Sequence, residues 1–494
     1  MENISSNKAK LHLVNVCKQY LGPNDLEKVE KAIKFSENAH KGIFRKSGEE
    51  FVTHPIQTAI RLAELHLDVP SIIAALLHDV LEDTQITGQE IKKLFGSDVL
   101  NLVESLTKLS KVRIKKSWFP FSRATTHEVP EFERQVETLR KMLVAMSKDV
   151  RVMLIKLSDK IHNLKTLKHL PEEKRERIAK EAIEIYAPIA GRLGMGNWRG
   201  ILEDSAFPFA QPDDYKEVKA LAILKIQDRE VYLKKITQKV SRILKENNIK
   251  CEIDFRAKRW YSLFKKLQKY DNDISKIYDL IAVRIIVNSI EDCYTTLGLI
   301  HGFWRPLIGR IKDYIALPKP NGYKSIHTTV FCDNGQIVEF QIRTKEMDYQ
   351  AEFGIASHWI YSEKKSSRLP QKDELKWLNE FNKIQKNIKS PADLIKSFEM
   401  DFFKDRIFVF TPLGDVKDLP LGSTPVDFAY YIHTDVGNKC AGAKINGKIA
   451  QLSTKLQNGD IVEILKKKSA KPRHDWLNFV TTEMARSNIK RYLK

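Results

Sequence analysis

Cysteine is scarce in this chain: its 494 residues hold five, Cys17, Cys251, Cys293, Cys332 and Cys440, far apart, odd in number and without a C-x-x-C pair. That excludes a disulfide framework and a zinc knuckle and suits a reducing compartment. Long hydrophobic runs are missing too. The opening MENISSNKAKLHLV lacks the apolar core of a secretory leader, and nowhere does the chain hold the roughly 18 consecutive apolar residues of a membrane span. A soluble, cytoplasmic protein with no membrane partner is the expectation. Acidic residues are outnumbered by basic ones, 63 against 83, so the formal net charge is +20 and polyanions such as nucleotides, RNA or a phospholipid surface are favoured as partners. With 42% hydrophobic residues the chain can build ordinary cores. Its length suits about three or four domains.

Organisation changes along the chain. From residue 8 to residue 200 apolar residues recur at helical spacing, as in SIIAALLHDVLED, so the N-terminal part is expected to be all-helical. The stretch KVRIKKSWFPFSRATTHEVP at 111–130 mixes basic residues, aromatics and prolines without a period and reads as a long mobile loop near a site. After GRLGMGNWRG come helices to about residue 247, then short β-like runs such as YDLIAVRIIVN, HTTVFCD and QIVEFQIRT, making the middle mixed α and β. Residues 373–401 read as a polar helical connector, and from Phe402 a small β-rich unit begins. The final DWLNFVTTEMARSNIKRYLK starts an amphipathic helix with nothing downstream to bury it, as if the chain were cut from something longer.

Three constellations carry chemistry. His78 and Asp79 adjoin, and Glu82 and Asp83 each follow one of them by four residues, so along a helix these groups share one wall of an otherwise apolar element. Buried unpaired carboxylates are costly, and a divalent cation held by imidazole and carboxylate is one remedy. His54 in FVTHPIQTA and Asp159 in LIKLSDKIHNL stand in similar apolar surroundings and complete a two-His, two-Asp set; a helix cap or surface pair is the plainer alternative. Further on, Arg256, Lys258, Lys265 and Lys266 suit a triphosphate, or else the solvated face of a basic helix. Asp279 and Glu339 are single carboxylates in apolar β-like segments, a disposition that Mg2+-dependent phosphoryl transfer uses, although acids at strand ends are common. Around a Pro-Asn-Gly turn, GRIKDYIALPKPNGYKSIHTTV gathers Arg310, Lys312, Lys319, Asn321, Tyr323, Lys324 and His327, offering charge for phosphate and an aromatic ring for a base.

The segments HKGIFRKSGEEFVTHP, ALLHDVLEDT and SDKIHNLKTL resemble the Rel (RelA/SpoT-homologue) enzymes of the stringent response, within the HD superfamily of metal-dependent phosphohydrolases. The run from FRAKRWYSLFKKLQK to QIVEFQIRT is similar to their synthetase domain, and VFTPLGDVKDLPLGSTPVDFAYYIHTDVG with LQNGDIVEIL looks like a TGS domain. The resemblance implies a multidomain α+β protein. It would comprise an all-α HD-type hydrolase domain at 1–195, a mixed α/β nucleotidyltransferase-like synthetase domain at 196–372 and a helical connector at 373–401. A small β-grasp-like TGS domain at 402–467 and the start of a truncated helical region at 468–494 would follow. The implied activity is bifunctional: transfer of pyrophosphate from ATP to the 3′-hydroxyl of GDP or GTP, releasing AMP, and hydrolysis of (p)ppGpp to GDP or GTP and pyrophosphate. Rival expectations are a hydrolase-dominant member with a weak synthetase, and a tRNA- or ribosome-binding stress module with vestigial catalysis.

Residue roles follow from the same resemblance. His54, His78, Asp79 and Asp159 would hold Mn2+, with Glu82 and Asp83 positioning and deprotonating the attacking water, and Arg45, Lys46 and Asn163 touching the nucleotide. In the synthetase, Arg256 would face adenine, Lys258 and Lys266 the ATP phosphates, and Asp279 a catalytic Mg2+. Glu339 would activate the 3′-hydroxyl and Tyr323 stack on guanine, with Lys312, Lys319, Asn321 and His327 completing the nucleotide site. His433 is the candidate tRNA contact, with the ribosome and deacylated tRNA engaged through the TGS domain and C-terminal regions beyond it. Three departures from the family pattern stand out: Ser158-Asp159-Lys160 where Ala-Asp-Arg is common, Phe255 where glycine is usual, and one extra residue before Glu339.

Overall fold

Apolar residues three and four apart dictate a helical first half, and in the computed structural model it is helical. Residues 6–110, 141–277, 280–357 and 406–493 are described, apart from residues 143, 147 and 320. The 111–130 loop and the 373–401 connector therefore lie outside the described residues. Helices α1 (Ser6–Cys17), α2 (Pro23–Ala39), α3 (Thr53–Glu64), α4 (Val69–Leu77), the short α5 (Val80–Asp83), α6 (Gly88–Phe95), α7 (Ser97–Ser110) and α8 (Val150–Lys165) build the first core. Proline in the first turn starts α2 and α4, and a Thr87–Glu90 capping box starts α6. Helix α4 is apolar on all sides and buried from Ser71 to Leu77, so it runs through the centre, against α2, α3 and α7. Arg151 ties the start of α8 to the surrounding elements, donating to Asp68 at 2.6 Å, Asp98 at 2.9 Å and Asp149 at 2.7 Å.

Helix α9 (Glu172–Glu181) passes through a π-helical turn (Ala182–Tyr186) into α10 (Ala187–Arg192), followed by α11 (Gly196–Ala210) and the long α12 (Pro212–Glu246). Then comes a mixed sheet of β1 (Cys251–Ala257), β2 (Ile281–Val287), β3 (Arg305–Pro306), β4 (Lys312–Asp313), β5 (Ile326–Phe331) and β6 (Ile337–Thr344). The strand order is β1-β2-β6-β5-β3, with β4 also on β5; only β2 and β6 pair in parallel. Helices α13 (Trp260–Lys269), α14 (Ile290–Phe303) and α15 (Lys345–Phe353) complete this part.

Strand alternation sorts the sheet into two faces. Val283, Ile285, Phe340 and Ile342 join Leu233, Val240 and Leu244 of α12 and Ile300 of α14 in one core. The opposite face is polar: Arg256, Ala282, Glu339 and Thr329 form one register row, and Asp254, Arg284, Gln341, His327 and Lys312 the next. Phe255 points to the apolar side and packs on that core, so this departure from the family pattern leaves the polar face untouched. The β5–β6 turn lies just before Glu339. There Asp333 accepts from Trp304 Nε1 at 3.0 Å and Lys239 Nζ at 3.0 Å, while strand pairing continues unbroken from Phe331↔Ile337 to Ile326↔Ile342.

The helical and α/β parts form one compact unit and meet backbone to backbone. Ile355 N donates to Leu193 O at 2.9 Å, and Gly194 (φ +74) lies against Gly354 (φ +54). A Cβ on Gly354 would collide with Leu193 O and the Gly194 main chain, and neither can yield as a side-chain tip could. Gly354→Ala is expected to destabilise this unit by about 3 kcal/mol, from overpacking plus left-handed strain. Gly309→Ala, also at positive φ (+74) but with nothing within 4 Å, supplies the control for strain alone. Thermal unfolding of the two variants separates the contributions, and equal losses would contradict the close approach.

The second unit holds the described residues 406–493. A hairpin of β7 (Arg406–Phe410) and β8 (Val416–Pro420) accompanies a sheet of β9 (Cys440–Ile445), β10 (Lys448–Ala450) and β11 (Val462–Lys466), with helices α16 (Pro425–Ile432), α17 (Thr434–Asn438) and α18 (Glu483–Leu493). The C-terminal helix, expected to lack a burial partner, finds one upstream: Ala485 and Ile489 pack with Val426, Tyr430 and Trp476. Asp427 clasps the two parts. Fully buried, it accepts from Thr424 N and Oγ1 at the start of α16 and from Thr481 N, Thr482 N and Thr482 Oγ1 ahead of α18. Asp427→Ala strands several buried donors and is expected to cost this unit at least about 3 kcal/mol. Calorimetry would register the loss as a lowered transition for the second unit, and an unchanged transition would contradict the clasp. Among the described residues no helix is long and apolar enough to cross a membrane.

Candidate functional site

The helical core converges on a polar cluster where α4 ends. His78 caps α4 and Asp79 precedes α5, so the continuous helix expected through HDVLED is interrupted at this pair. The cause is local. His78 Nδ1 donates to Ala75 O at 2.8 Å, competing for the carbonyl that would otherwise close the helical turn onto Asp79. With Nδ1 so engaged, His78 Nε2 faces the cluster, 3.2 Å from Asp79 Oδ2, 3.2 Å from His54 Nε2 and 3.9 Å from Asp159 Oδ1. His54 comes from the first turn of α3 and Asp159 from the middle of α8, its Oδ1 3.3 Å from His54 Nε2. All three of His54, His78 and Asp159 are 3% exposed, so water does not supply the missing donors. Two imidazoles and carboxylates crowded together in this way form a set that could hold a metal ion, and a divalent cation of intermediate softness fits these N and O ligands.

A shell of residues surrounds the cluster. Lys156 Nζ pairs with Asp159 Oδ2 at 2.8 Å. Burial alone would raise the Asp159 carboxyl, but Lys156 and the neighbouring imidazoles hold it well below the usual carboxylate range. Arg45, in a turn closed by the Phe44↔Glu50 bridge, reaches His162 Nδ1 at 3.1 Å and Asn163 Oδ1 at 2.7 Å. Asn163 Nδ2 in turn donates to Asp159 Oδ1 at 2.6 Å, and His54 Nδ1 lies 2.8 Å from His162 Nδ1. Burial pushes the His162 imidazole far below its ordinary pKa, so it is neutral. Sequence reasoning brought together Arg45, Asn163 and the four ligand candidates but missed His162 and Lys156, which lie on the same α8 at spacings that were available to it. Lys46 is exposed. Asp83, one turn beyond Asp79, has its carboxyl raised by burial and by the Asp79 charge, as suits a proton acceptor. The Ser158 and Lys160 departures fall outside the cluster: Ser158 Oγ donates to Thr58 O at 2.9 Å, and Lys160 Nζ stands 5.0 Å over the Tyr186 ring.

A second group occupies the polar face of the sheet. His327 Nδ1 is 3.3 Å from Glu339 Oε1, Gln341 Nε2 donates to the same oxygen at 3.1 Å, and Tyr323 Oη lies 2.8 Å from His327 Nε2. Burial pushes the His327 pKa down, keeping the ring neutral beside Glu339. Lys319 Nζ sits 4.7 Å over the Tyr314 ring and 5.1 Å over that of Tyr323, and Lys312 pairs with His327 across β4 and β5. Arg256 Nη1 contacts Glu352 at 2.5 Å, at the other end of the Arg256–Ala282–Glu339 row. Lys258 follows β1, and Lys266 lies half-buried on α13. Asn321 turns toward the helical part, its Nδ2 donating to Gly191 O at 3.2 Å. Asp279 lies outside the described residues. In the second unit His433 is exposed, and its Nδ1 accepts from Asp435 N at 3.1 Å to cap α17.

Known families match the chain in three successive stretches: HD domain at residues 32–196, region found in RelA / SpoT proteins at 255–366, and TGS domain at 407–466. Similar curated proteins include a GTP pyrophosphokinase of Myxococcus xanthus, 44% identical over 476 residues, covering 96% of this chain and 61% of that protein. A guanosine-3′,5′-bis(diphosphate) 3′-pyrophosphohydrolase of Aquifex aeolicus is 44% identical over 473 residues, 96% of this chain and 65% of that protein. The bifunctional (p)ppGpp synthase/hydrolase SpoT of Escherichia coli is 40% identical over 476 residues, 96% of this chain and 66% of that protein. The chain thus spans about three-fifths of the length of these relatives.

Proposed function

The chain belongs to the RelA/SpoT family, and from that premise we propose that it both makes and destroys (p)ppGpp, with the helical cluster hydrolysing and the polar sheet face synthesising. The observation that carries this reading is the presence of two separate polar clusters in one chain: His54, His78 and Asp159 buried together at the end of α4, and Glu339 beside His327 and Tyr323 on the sheet.

In hydrolysis, Asp83 takes a proton from the attacking water with Glu82 beside it; the water oxygen bonds to the phosphorus carried by the 3′-oxygen, the bond between that phosphorus and the 3′-oxygen breaks, and the 3′-oxygen takes up a proton, so that GDP or GTP and pyrophosphate are released. His54, His78, Asp79 and Asp159 would hold a divalent cation, Mn2+ in this reading, which supplies Lewis acidity toward water and phosphate oxygens. In synthesis, Glu339 takes the proton of the 3′-hydroxyl of GDP or GTP, the hydroxyl oxygen bonds to the β-phosphorus of ATP, and AMP departs. Tyr323 and His327 with Lys312, Lys319 and Asn321 receive the acceptor nucleotide, and Arg256, Lys258 and Lys266 receive ATP. Mg2+ at Asp279 rests on the family resemblance. The bond from Asn321 to Gly191 links the acceptor loop to the helical part. Phe255 packs on the apolar side of the sheet and the β5–β6 pairing is unbroken, which supports a working synthetase in this reading. For the second unit the reading is recognition of tRNA on the ribosome, with the exposed His433 as the contact.

Two assays on the purified chain test this. Incubation of ppGpp with Mn2+ should release GDP and pyrophosphate, and ATP with GDP and Mg2+ should yield ppGpp and AMP, both resolved by anion-exchange chromatography. A well-folded chain that did neither would overturn the reading and favour a non-catalytic binding role.

A further inference from the structure

We propose that Arg45 is a positioning residue for the metal centre: through His162 and Asn163 its one guanidinium holds both His54 and Asp159 in the states that bind a divalent cation. This rests on the metal-centre reading above and deepens it.

The argument is one of donors and acceptors. A guanidinium can only donate. Arg45 Nη1 lies 3.1 Å from His162 Nδ1, so that nitrogen presents a lone pair and the His162 proton sits on Nε2. His54 Nδ1 approaches the same His162 Nδ1 at 2.8 Å, and two lone pairs do not meet at that distance. His54 therefore carries its proton on Nδ1 and donates it. The consequence appears at the far end of the His54 ring, where Nε2 is bare, 3.2 Å from His78 Nε2, 3.3 Å from Asp159 Oδ1 and 3.5 Å from Asp79 Oδ2, a crowding of acceptors that a cation would relieve. His78 reaches the same tautomer by its bond to Ala75 O. The other His54 tautomer would direct an N–H into the space a cation needs, and Arg45 suppresses it from two residues away.

The second arm of the fork acts on Asp159. Arg45 Nη2 donates to Asn163 Oδ1 at 2.7 Å, which selects the amide orientation whose Nδ2 donates to Asp159 Oδ1 at 2.6 Å. One planar group thus braces two ligands from different helices, α3 and α8, and a lysine in its place could not reproduce the fork. Outer partners of this kind set ligand orientation and basicity as much as the ligands themselves do.

The test is Mn2+ affinity of the full chain, stripped of metal and titrated calorimetrically, with thermal unfolding of each variant as the check on folding. Arg45→Lys and His162→Leu are expected to weaken Mn2+ binding at least about tenfold, whereas His162→Asn, whose Oδ1 accepts where Nδ1 did, stays within about threefold of the unaltered chain. Folded Arg45→Lys and His162→Leu proteins that bind Mn2+ as tightly as the unaltered chain would overturn the inference. So would a His162→Asn variant as weak as His162→Leu, since the acceptor would then not be what matters. Failure of the unaltered chain to bind Mn2+ would overturn the metal-centre reading itself, and the inference with it.

Discussion

Replacing Asp159 with asparagine is expected to lower ppGpp hydrolysis at least about a thousandfold, the equivalent of roughly 4 kcal/mol of transition-state stabilisation, while synthesis from ATP and GDP continues. The carboxylate sits within 3.3 Å of His54 Nε2 and accepts from Lys156 at 2.8 Å, so the substitution removes a charge from the cluster and weakens the pairing of a buried ammonium. Because that loss also strains the fold, His78→Gln, which leaves the Lys156–Asp159 pair intact, should be measured beside it. Both variants should lose hydrolysis and Mn2+ binding together, and extensive chelation of the unaltered chain should copy them. Hydrolysis at more than about a tenth of the original rate in both variants would place the reaction elsewhere in the molecule.

Glu339→Gln should have the mirror-image effect. The amide keeps the shape of the side chain and a hydrogen-bonding role beside His327 and Gln341 but cannot take a proton, so synthesis should fall about a hundred- to ten-thousandfold with hydrolysis of ppGpp unaffected. The loss should appear in kcat rather than in KM for GDP, because the substitution leaves Tyr323 and His327, proposed above to receive the nucleotide, in contact with one another. A variant impaired only in KM would make Glu339 a binding residue and move the general base to another group. Measured side by side, the two variants should dissociate the activities in opposite directions, which a single shared active site could not do.

How much of this was legible beforehand can be argued residue by residue. The buried polar cluster was readable because His54, His78 and Asp159 are polar intrusions in apolar stretches, and burial makes such intrusions conspicuous. The sheet carboxylate Glu339 stood out for the same reason, flanked by Val338 and Phe340. His162 and Lys156 escaped because a basic residue on a helix ordinarily faces solvent, and only packing revealed that most of α8 has no solvent face. The interruption at His78-Asp79 was equally hidden, since a periodic pattern cannot show a side chain competing for its own helix's carbonyl. The C-terminal helix misled by its position: the apolar stripe was visible, but its partner lay upstream, across Asp427.

By itself the amino-acid sequence determined the broad element types, the order of the three parts and which polar side chains stand out from apolar surroundings, because periodicity and composition are properties of neighbours along the chain. Only the tertiary structure decided which of those side chains act together. His54 and His162 are 108 residues apart and Arg45 and Asn163 are 118 apart, yet each pair is in hydrogen-bonding contact. Those contacts, and the tautomers they impose, arise from the packing of α3 and the Arg45 turn against α8. Packing of that kind is set by the mutual fit of buried faces, and no local spacing encodes it.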